Sequence, residues 1–492
     1  MIKSDNLPPL IASLLHWARR EYGAETVDLL ETHISWVLLA DGYAYKIKKP
    51  VLLPFVDYST LEARRIFCEK ELALNSRYAP ELYLETLPIG GSIETPLIGV
   101  RPAIEWAVEM GRFDEKWRLD HVCDRGELTP SLISDLVRTV ADFHGRATQA
   151  PQKSRFGDPA EILRPALENF EELYRLLPSD KPLLTKMEES TRREWERLRS
   201  NFAGRKAQGY VRECHGDMHL GNIVLLDGRP TPFDCIEFNE AFRWIDQANE
   251  LAFIYEDLIE HHKPGLANWL ISEWLVETGD FDILNVLPFY STYRALVRTK
   301  VAAIRGDSDE AHEYLTLASR FCCQRQGALT ITFGLSGSGK TTSAFARLLA
   351  DESANTVLVR SDVERKRLFG LAPEDASNGA IYTPEATDRT YSRLEELAKG
   401  ALIAGWSVIV DAAFLQRSQR DRFRVLASGI NLPFAILACE ASPDELRRRL
   451  RVRRNDASEA TVEVLEGQMK WAEGLTDEET QLKADTMGEI EE

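Results

Sequence analysis

The chain has no excess of positive charge: 60 Lys and Arg stand against 78 Asp and Glu, a formal charge of −18 over 492 residues. A dedicated nucleic-acid binder carries a basic footprint, and an anionic membrane surface asks for one too, so both classes are disfavoured. A phosphate site is not excluded, since it needs only a few local donors. Long apolar runs are missing as well: no stretch approaches the ~20 apolar residues that span a bilayer. The opening MIKSDNLPPLIASLLHWARREYG has its apolar stretch broken by His16, Arg19 and Arg20 and does not read as a signal peptide. Cysteine is scarce, with seven residues scattered widely and no C-x-x-C pair. That argues against zinc and disulfide frameworks and for reduced thiols in a cytoplasmic protein. Only the adjacent Cys322-Cys323 leaves room for a redox pair. Internal repeats and low-complexity tracts are absent too.

What is present suits a chain with sizeable cores: 44% hydrophobic and 28% charged residues. Residues 33–49, HISWVLLADGYAYKIKK, read as two strands around the turn Asp41-Gly42. A helix follows over 60–78, then strand-like LYLETLPIG and PLIGVRPAI. From about 107 to 325 the pattern is helical, broken at 208–239 by short β-like runs (NIVLL, TPFDCIEF). After Gln326 short apolar strands alternate with helices: ALTITF, TVLVR, WSVIVDA and PFAILACE, with helices at 340–350, 417–428 and 443–454 between or after them. Such alternation means βαβ units and a parallel sheet flanked by helices. The expected organisation is therefore an α/β multidomain chain. A bilobal α+β domain covers 1–325, with a small lobe over about 1–105 and a helical lobe over about 106–325, and an α/β domain covers 326–492. The acidic tail TDEETQLKADTMGEIEE is expected to fray.

The segment Gly334-Leu335-Ser336-Gly337-Ser338-Gly339-Lys340-Thr341 fits G-x-x-x-x-G-K-[ST] at every fixed position, after a strand and before a helix. Glycines let backbone N–H groups curl around phosphates, and the helix N-terminus adds positive dipole. Lys340 is expected on the β/γ oxygens, with the Thr341 hydroxyl on Mg²⁺ and Thr342 beside it. Asp411 ends WSVIVD, where a carboxylate holds Mg²⁺ directly or through water. Asp362 follows TVLVR, 22 residues after Lys340, and with Arg365 offers a carboxylate and a guanidinium to an attacking hydroxyl. Strand C-termini line the ligand crevice of an open parallel sheet, so both acids face it. The competing reading of Asp362 is a helix N-cap. The arginine-rich helix 443–454 supplies Arg449 and Arg453, one turn apart, as candidates to close over ATP, against the plainer reading of a solvated basic face.

These residues resemble the small-molecule P-loop kinases, among them gluconate kinase, adenylylsulfate kinase, zeta-type toxins and polynucleotide 5′-kinase. RSDVERKR and VDAAFLQRSQRDRF are most similar to the last two branches, over roughly 327–475. The resemblance implies phosphoryl transfer from ATP to a hydroxyl with Asp362 as base, and leaves the acceptor open.

A second constellation is His215-Gly216-Asp217-Met218-His219-Leu220-Gly221-Asn222, followed twelve residues on by Asp234. It fits the metal and base set of a kinase catalytic loop: Asp217 to orient the acceptor hydroxyl, Asn222 and Asp234 to hold Mg²⁺ on the phosphates. It resembles the aminoglycoside phosphotransferase family, with its choline, homoserine and fructosamine kinase relatives. The resemblance implies a small ATP-binding lobe in which Lys46, beside Lys48 and Lys49, meets the phosphates. Glu71, or its rival Glu69, pairs with that lysine. It also implies a hinge near RPAIEWAVEM and an acidic support, Asp246 in Trp244-Ile245-Asp246, under the catalytic loop. The family's glycine-rich loop ahead of the lysine is not found. The domain order resembles bacterial bifunctional phosphotransferase/ATP-binding proteins over nearly the whole chain. The implied activity is a two-site, Mg-ATP-dependent kinase acting on small hydroxylated molecules. Alternatives are a polynucleotide 5′-hydroxyl kinase or an ATP-responsive regulator. Oligomeric state is left open.

Overall fold

The computed structural model describes residues 7–53, 56–323, 326–377, 381–452 and 460–484; Arg453 lies outside these described residues. The fold is mixed α/β, and its contacts divide it into two compact units. One runs to Ile162 and resumes over Phe202–Ile254; the other comprises Leu163–Asn201 and the chain from Tyr255 onward. No helix among the described residues is long and apolar enough to cross a membrane.

The first unit holds a six-stranded antiparallel sheet in the order Val27–Glu31, Ser35–Ala40, Tyr43–Lys48, Glu105–Gly111, Tyr83–Gly91, Pro96–Ile98. Ala40 pairs with Tyr43, so Asp41-Gly42 alone makes the turn, with Asp41 at φ 52, a conformation Asp tolerates well. Side chains alternate across the sheet. Leu38, Tyr45 and Ile47 pack with Ile11, Leu14 and Ala18 of the helix Pro9–Tyr22. Ala44 faces the other side, with Cys68 and Leu72 of the helix Leu61–Asn75. Lys46 and Lys48 therefore point toward that second helix, whose first turn is capped by Thr60 accepting the Ala63 N–H at 3.1 Å. The RPAIEWAVEM stretch, expected as a hinge, is mostly the strand Glu105–Gly111, paired with the lysine strand. Of the β-like runs at 208–239, Ile223–Leu226 and Arg229–Pro232 form a hairpin, which ends just before Asp234.

The second unit contains a four-stranded parallel sheet ordered Thr356–Arg360, Ser407–Asp411, Leu329–Phe333, Phe434–Ala438. Both edges are closed. On one side the helix Pro264–Thr278 sends side chains to the edge strand: Asn268 Oδ1 accepts the Thr356 N–H at 2.9 Å and Ser272 Oγ accepts the Leu358 N–H at 3.1 Å. Trp406 Nε1 donates to Leu284 O at 2.9 Å in the helix Ile283–Arg305. On the other side Ile436 exchanges backbone hydrogen bonds with Leu482 and Ala484, each at 2.9 Å. An unpaired edge strand invites aggregation, and these contacts remove two edges at once. Against the expected border near 325, the contacts group residues 163–201 and 255–322 with the P-loop sheet, whose edge strand the helix Pro264–Thr278 meets directly. The tail expected to fray is docked as far as Ala484, with Glu479 pairing the buried Arg420 at 2.6 Å.

Candidate functional sites

In the first unit the site starts at Glu71, fully buried in the helix Leu61–Asn75. Its two carboxylate oxygens each receive an ammonium group, Lys46 at 2.6 Å and Lys48 at 2.6 Å. Burial by itself would raise the Glu71 pKa, but the two lysines hold it down to about 2. Lys46 also pairs with Asp234, and Lys48 with Glu237. Desolvation opposes the charged form of both lysines, and these carboxylates overcome it, so both stay protonated well above the ordinary lysine range. The structure thus brings Lys46, Glu71 and Asp234 together, while Glu69 pairs with Arg65 at 2.6 Å on an exposed face.

Asp234 adopts φ 63, and its N–H donates to the Tyr83 hydroxyl at 3.0 Å. The next residue, Cys235, donates its N–H to Asn75 Oδ1 at 2.8 Å, tying this loop to the helix of Glu71. Asn222 Nδ2 donates to Asp217 at the backbone oxygen (2.9 Å) and at Oδ2 (3.0 Å), which leaves the Asn222 side-chain oxygen free to accept a cation. The hard oxygen donors of Asn222 and Asp234 suit Mg²⁺.

The loop is held from below by a residue the sequence reading passed over. Glu250 Oε1 accepts the His215 N–H at 3.1 Å and the His144 Nε2 proton at 3.0 Å, while Oε2 accepts the Gly216 N–H at 2.7 Å. Burial pushes its pKa up, but His144 and the loop amides bring it down to about 2. Gly216 is required here: its φ is 92, and a Cβ would lie 2.6 Å from Phe242 O. Asp246, expected in this supporting role, instead makes a bidentate pair with buried Arg205 at 2.8 and 2.9 Å. The signal was available in ELAF, four residues past Asp246, but one carboxylate among several on a helix does not reveal which one faces the loop.

In the second unit the P-loop sits between the strand Leu329–Phe333 and the helix Lys340–Leu349. Gly334 has φ 153 and a Cβ there would meet Cys439 O at 2.3 Å; Gly337 and Gly339 have φ 84 and 88. Thr341 Oγ1 donates to Asp411 Oδ2 at 2.7 Å. Asp411 is buried, which raises its pKa even though Arg360, Thr341 and Lys340 favour the anion. A hydroxyl and a carboxylate in contact, both oxygen donors, fit a Mg²⁺ ion on a phosphate. Lys340 Nζ donates to Leu335 O at 2.9 Å, across the loop it belongs to.

These groups line a cavity of about 1300 Å³, into which open Ser336, Gly337, Ser338, Gly339, Lys340, Thr341, Thr342, Asp362, Arg365, Asp411 and Arg449. That exceeds the ~300–1,000 Å³ of an ordinary ligand pocket and leaves room for a second molecule beside a nucleotide. Asp362 lies in the first turn of the helix Ser361–Leu368, and the N-cap position belongs to Arg360. Arg365 is fixed by Ile381 O at 3.1 Å and lies over the Tyr382 ring. Arg449 brings a guanidinium nitrogen to 3.5 Å from the Cβ position of Gly339, while its Nε donates to Glu445 at 2.7 Å. Gln468, absent from the sequence reading, also reaches the loop.

Two kinase-like folds therefore stand in one chain, each with a lysine and acids assembled locally, and the second with a glycine-rich loop between strand and helix. Residues 115–255 match the model of the Phosphotransferase enzyme family, and residues 329–475 match an AAA domain model. Over 455 residues, 89% of this chain and 88% of its length, an uncharacterised protein of Mycobacterium tuberculosis is 28% identical. Among solved structures, the GDP and kanamycin complex of APH(2")-IIIa covers 62% of this chain and 98% of its own at 11% identity and TM-score 0.40. A gluconokinase of Sinorhizobium meliloti covers 30% and 77% at 22% identity and TM-score 0.23. The kinase-like domains support a phosphotransferase.

Proposed function

We propose that the chain is a cytoplasmic two-site kinase, each unit binding Mg-ATP and passing its terminal phosphoryl group to a hydroxyl of a small molecule. The observation that carries this reading is the pairing of Lys46 with both Glu71 and Asp234 in one unit, matched by the Thr341–Asp411 contact beside Lys340 in the other. In the first unit Lys46 is poised to meet phosphate oxygens, kept charged and oriented by Glu71. Asp217, its carboxylate fixed by Asn222, would accept the acceptor hydroxyl's hydrogen bond and aim its oxygen. In the second, the loop amides and Lys340 would cradle the phosphates, while Asp362 aims the second acceptor and Arg365 and Arg449 face developing charge. Mg²⁺, held by Asn222 and Asp234 or by Thr341 and Asp411, would neutralise charge on the transferring group.

The polynucleotide reading draws less support. Arg447 pairs with Glu466 and Asp444, and Arg448 and Arg449 both pair with Glu445, so these three arginines of the helix are neutralised by acids of the same unit. All seven cysteines are free thiols, as suits a reducing compartment. The test is an unbiased screen of sugars, amino alcohols, nucleosides and labelled oligonucleotides for ATP consumption by the full chain and by Asp217→Asn and Lys340→Ala. Each substitution is expected to abolish turnover of one acceptor and spare the other. Turnover indifferent to both substitutions would refute the reading.

A further inference from the structure

We propose that Gln468 reads the terminal phosphate of the nucleotide in the P-loop site. The proposal deepens the kinase reading of the second unit and rests on it. Gln468 lies on the helix Val462–Trp471, and Val464, Gln468 and Trp471 all line the cavity at i, i+4 and i+7, so one face of this helix forms a wall. The helix is anchored independently of that face. Leu465 is fully buried with Leu446 and Leu450, against Leu335 of the loop, and Glu466 accepts Arg447 Nε at 2.7 Å.

From this fixed position Gln468 Oε1 accepts the backbone N–H of Ser336 at 2.8 Å. Ser336 follows Leu335, whose carbonyl holds Lys340 Nζ at 2.9 Å, so its N–H belongs to the turn on which the lysine that reaches β/γ-phosphate oxygens rests. A neutral amide oxygen therefore satisfies a donor that an anionic oxygen takes more strongly, since charge-assisted hydrogen bonds are about twice as strong as neutral ones. A carboxamide suits an exchange of partners. Its oxygen can hold the Ser336 N–H, and its NH₂ group can then donate to the phosphate that displaces it. The contact forms with a nucleotide that carries a γ-phosphate and is missing with one that ends at its β-phosphate. Gln468 so discriminates substrate from product and steadies the group to be transferred.

The proposal predicts an effect on ATP that ADP does not share. Calorimetry on the full chain carrying Lys46→Ala, so that only the P-loop site titrates, would compare MgATP and MgADP. Gln468→Glu, nearly isosteric, should weaken MgATP about tenfold or more through charge repulsion, and MgADP by less than about threefold. Gln468→Ala should reduce the preference for MgATP over MgADP about fivefold. Equal changes for the two nucleotides, or no change in either, would overturn the proposal while leaving the kinase reading intact. If Lys340→Ala in the same background leaves nucleotide binding untouched, the kinase reading of this unit falls and the Gln468 proposal falls with it.

Discussion

Glu71 and Lys48 lie 2.6 Å apart with both side chains closed to solvent, and the same carboxylate also grips Lys46 at 2.6 Å. One buried acid thus organises two cations that sit two residues apart on a strand. Removing it takes one of two carboxylate partners from each lysine, leaving Lys46 with Asp234 and Lys48 with Glu237. Glu71→Leu should cost about 1–3 kcal/mol, since each lysine loses one charged hydrogen-bond partner and keeps another, read as a lower denaturant midpoint. Lys48→Met combined with Glu237→Gln should cost markedly less, because both charges leave together.

Glu250 gives a pH signature. Its folded-state pKa of about 2 lies below the ordinary 4.5, so its contribution is present above pH 4.5 and is lost as pH falls toward 2. The shift corresponds to about 3 kcal/mol. Melting temperatures measured between pH 6 and pH 3 should fall less steeply for Glu250→Gln than for the native chain.

The same substitution should slow the first site. A glutamine presents one acceptor where the carboxylate serves the His215 and Gly216 amides through two oxygens, so one loop N–H is left unpaired at a cost of about 1–3 kcal/mol. Turnover that depends on Asp217 should drop about tenfold or more with little change in KM for ATP, and turnover that depends on Lys340 should stay as it was. A loss at both sites would contradict the assigned role of Glu250.

Calorimetry with a non-hydrolysable ATP analogue should give two equivalents per chain. Lys46→Ala and Asp411→Asn should each reduce this to one, and the double variant to none. A single equivalent that survives both substitutions would contradict separate sites.

Asn268→Ala with Ser272→Ala should destabilise the P-loop unit by about 2–4 kcal/mol, since two buried strand N–H groups lose their acceptors. Limited proteolysis should then cut within residues 326–484 sooner than in the native chain. An unchanged cleavage pattern would mean that the edge contacts contribute little.

Much of this was legible in the sequence, and the reasons are physical. The strands around Asp41-Gly42 and the four strands of the P-loop sheet were readable because short apolar runs end at turn residues. Lys340, Thr341 and Asp411 were readable because phosphate binding fixes both their types and their positions on strand and helix ends. Lys46 was singled out by resemblance, and its pairing with Glu71 and Asp234 is a matter of three dimensions. Glu250, Glu237 and Gln468 escaped notice since each acts through one or two hydrogen bonds or ion pairs at long sequence separation, which leaves no local pattern. The helices of 264–322 looked like more of the first domain because an apolar helix face does not say which surface it covers. The tail looked solvated by composition, yet one ion pair to Arg420 and a short run of backbone pairing hold it down to Ala484.

The helix Pro264–Thr278 that seals the sheet at Thr356 and Leu358 has an evolutionary corollary. A gene-level exchange of the C-terminal kinase-like domain at its motif border would discard the very residues that keep its outermost strand from meeting another chain. Shuffling of this half between proteins would have to take along some sixty upstream residues to keep that strand covered.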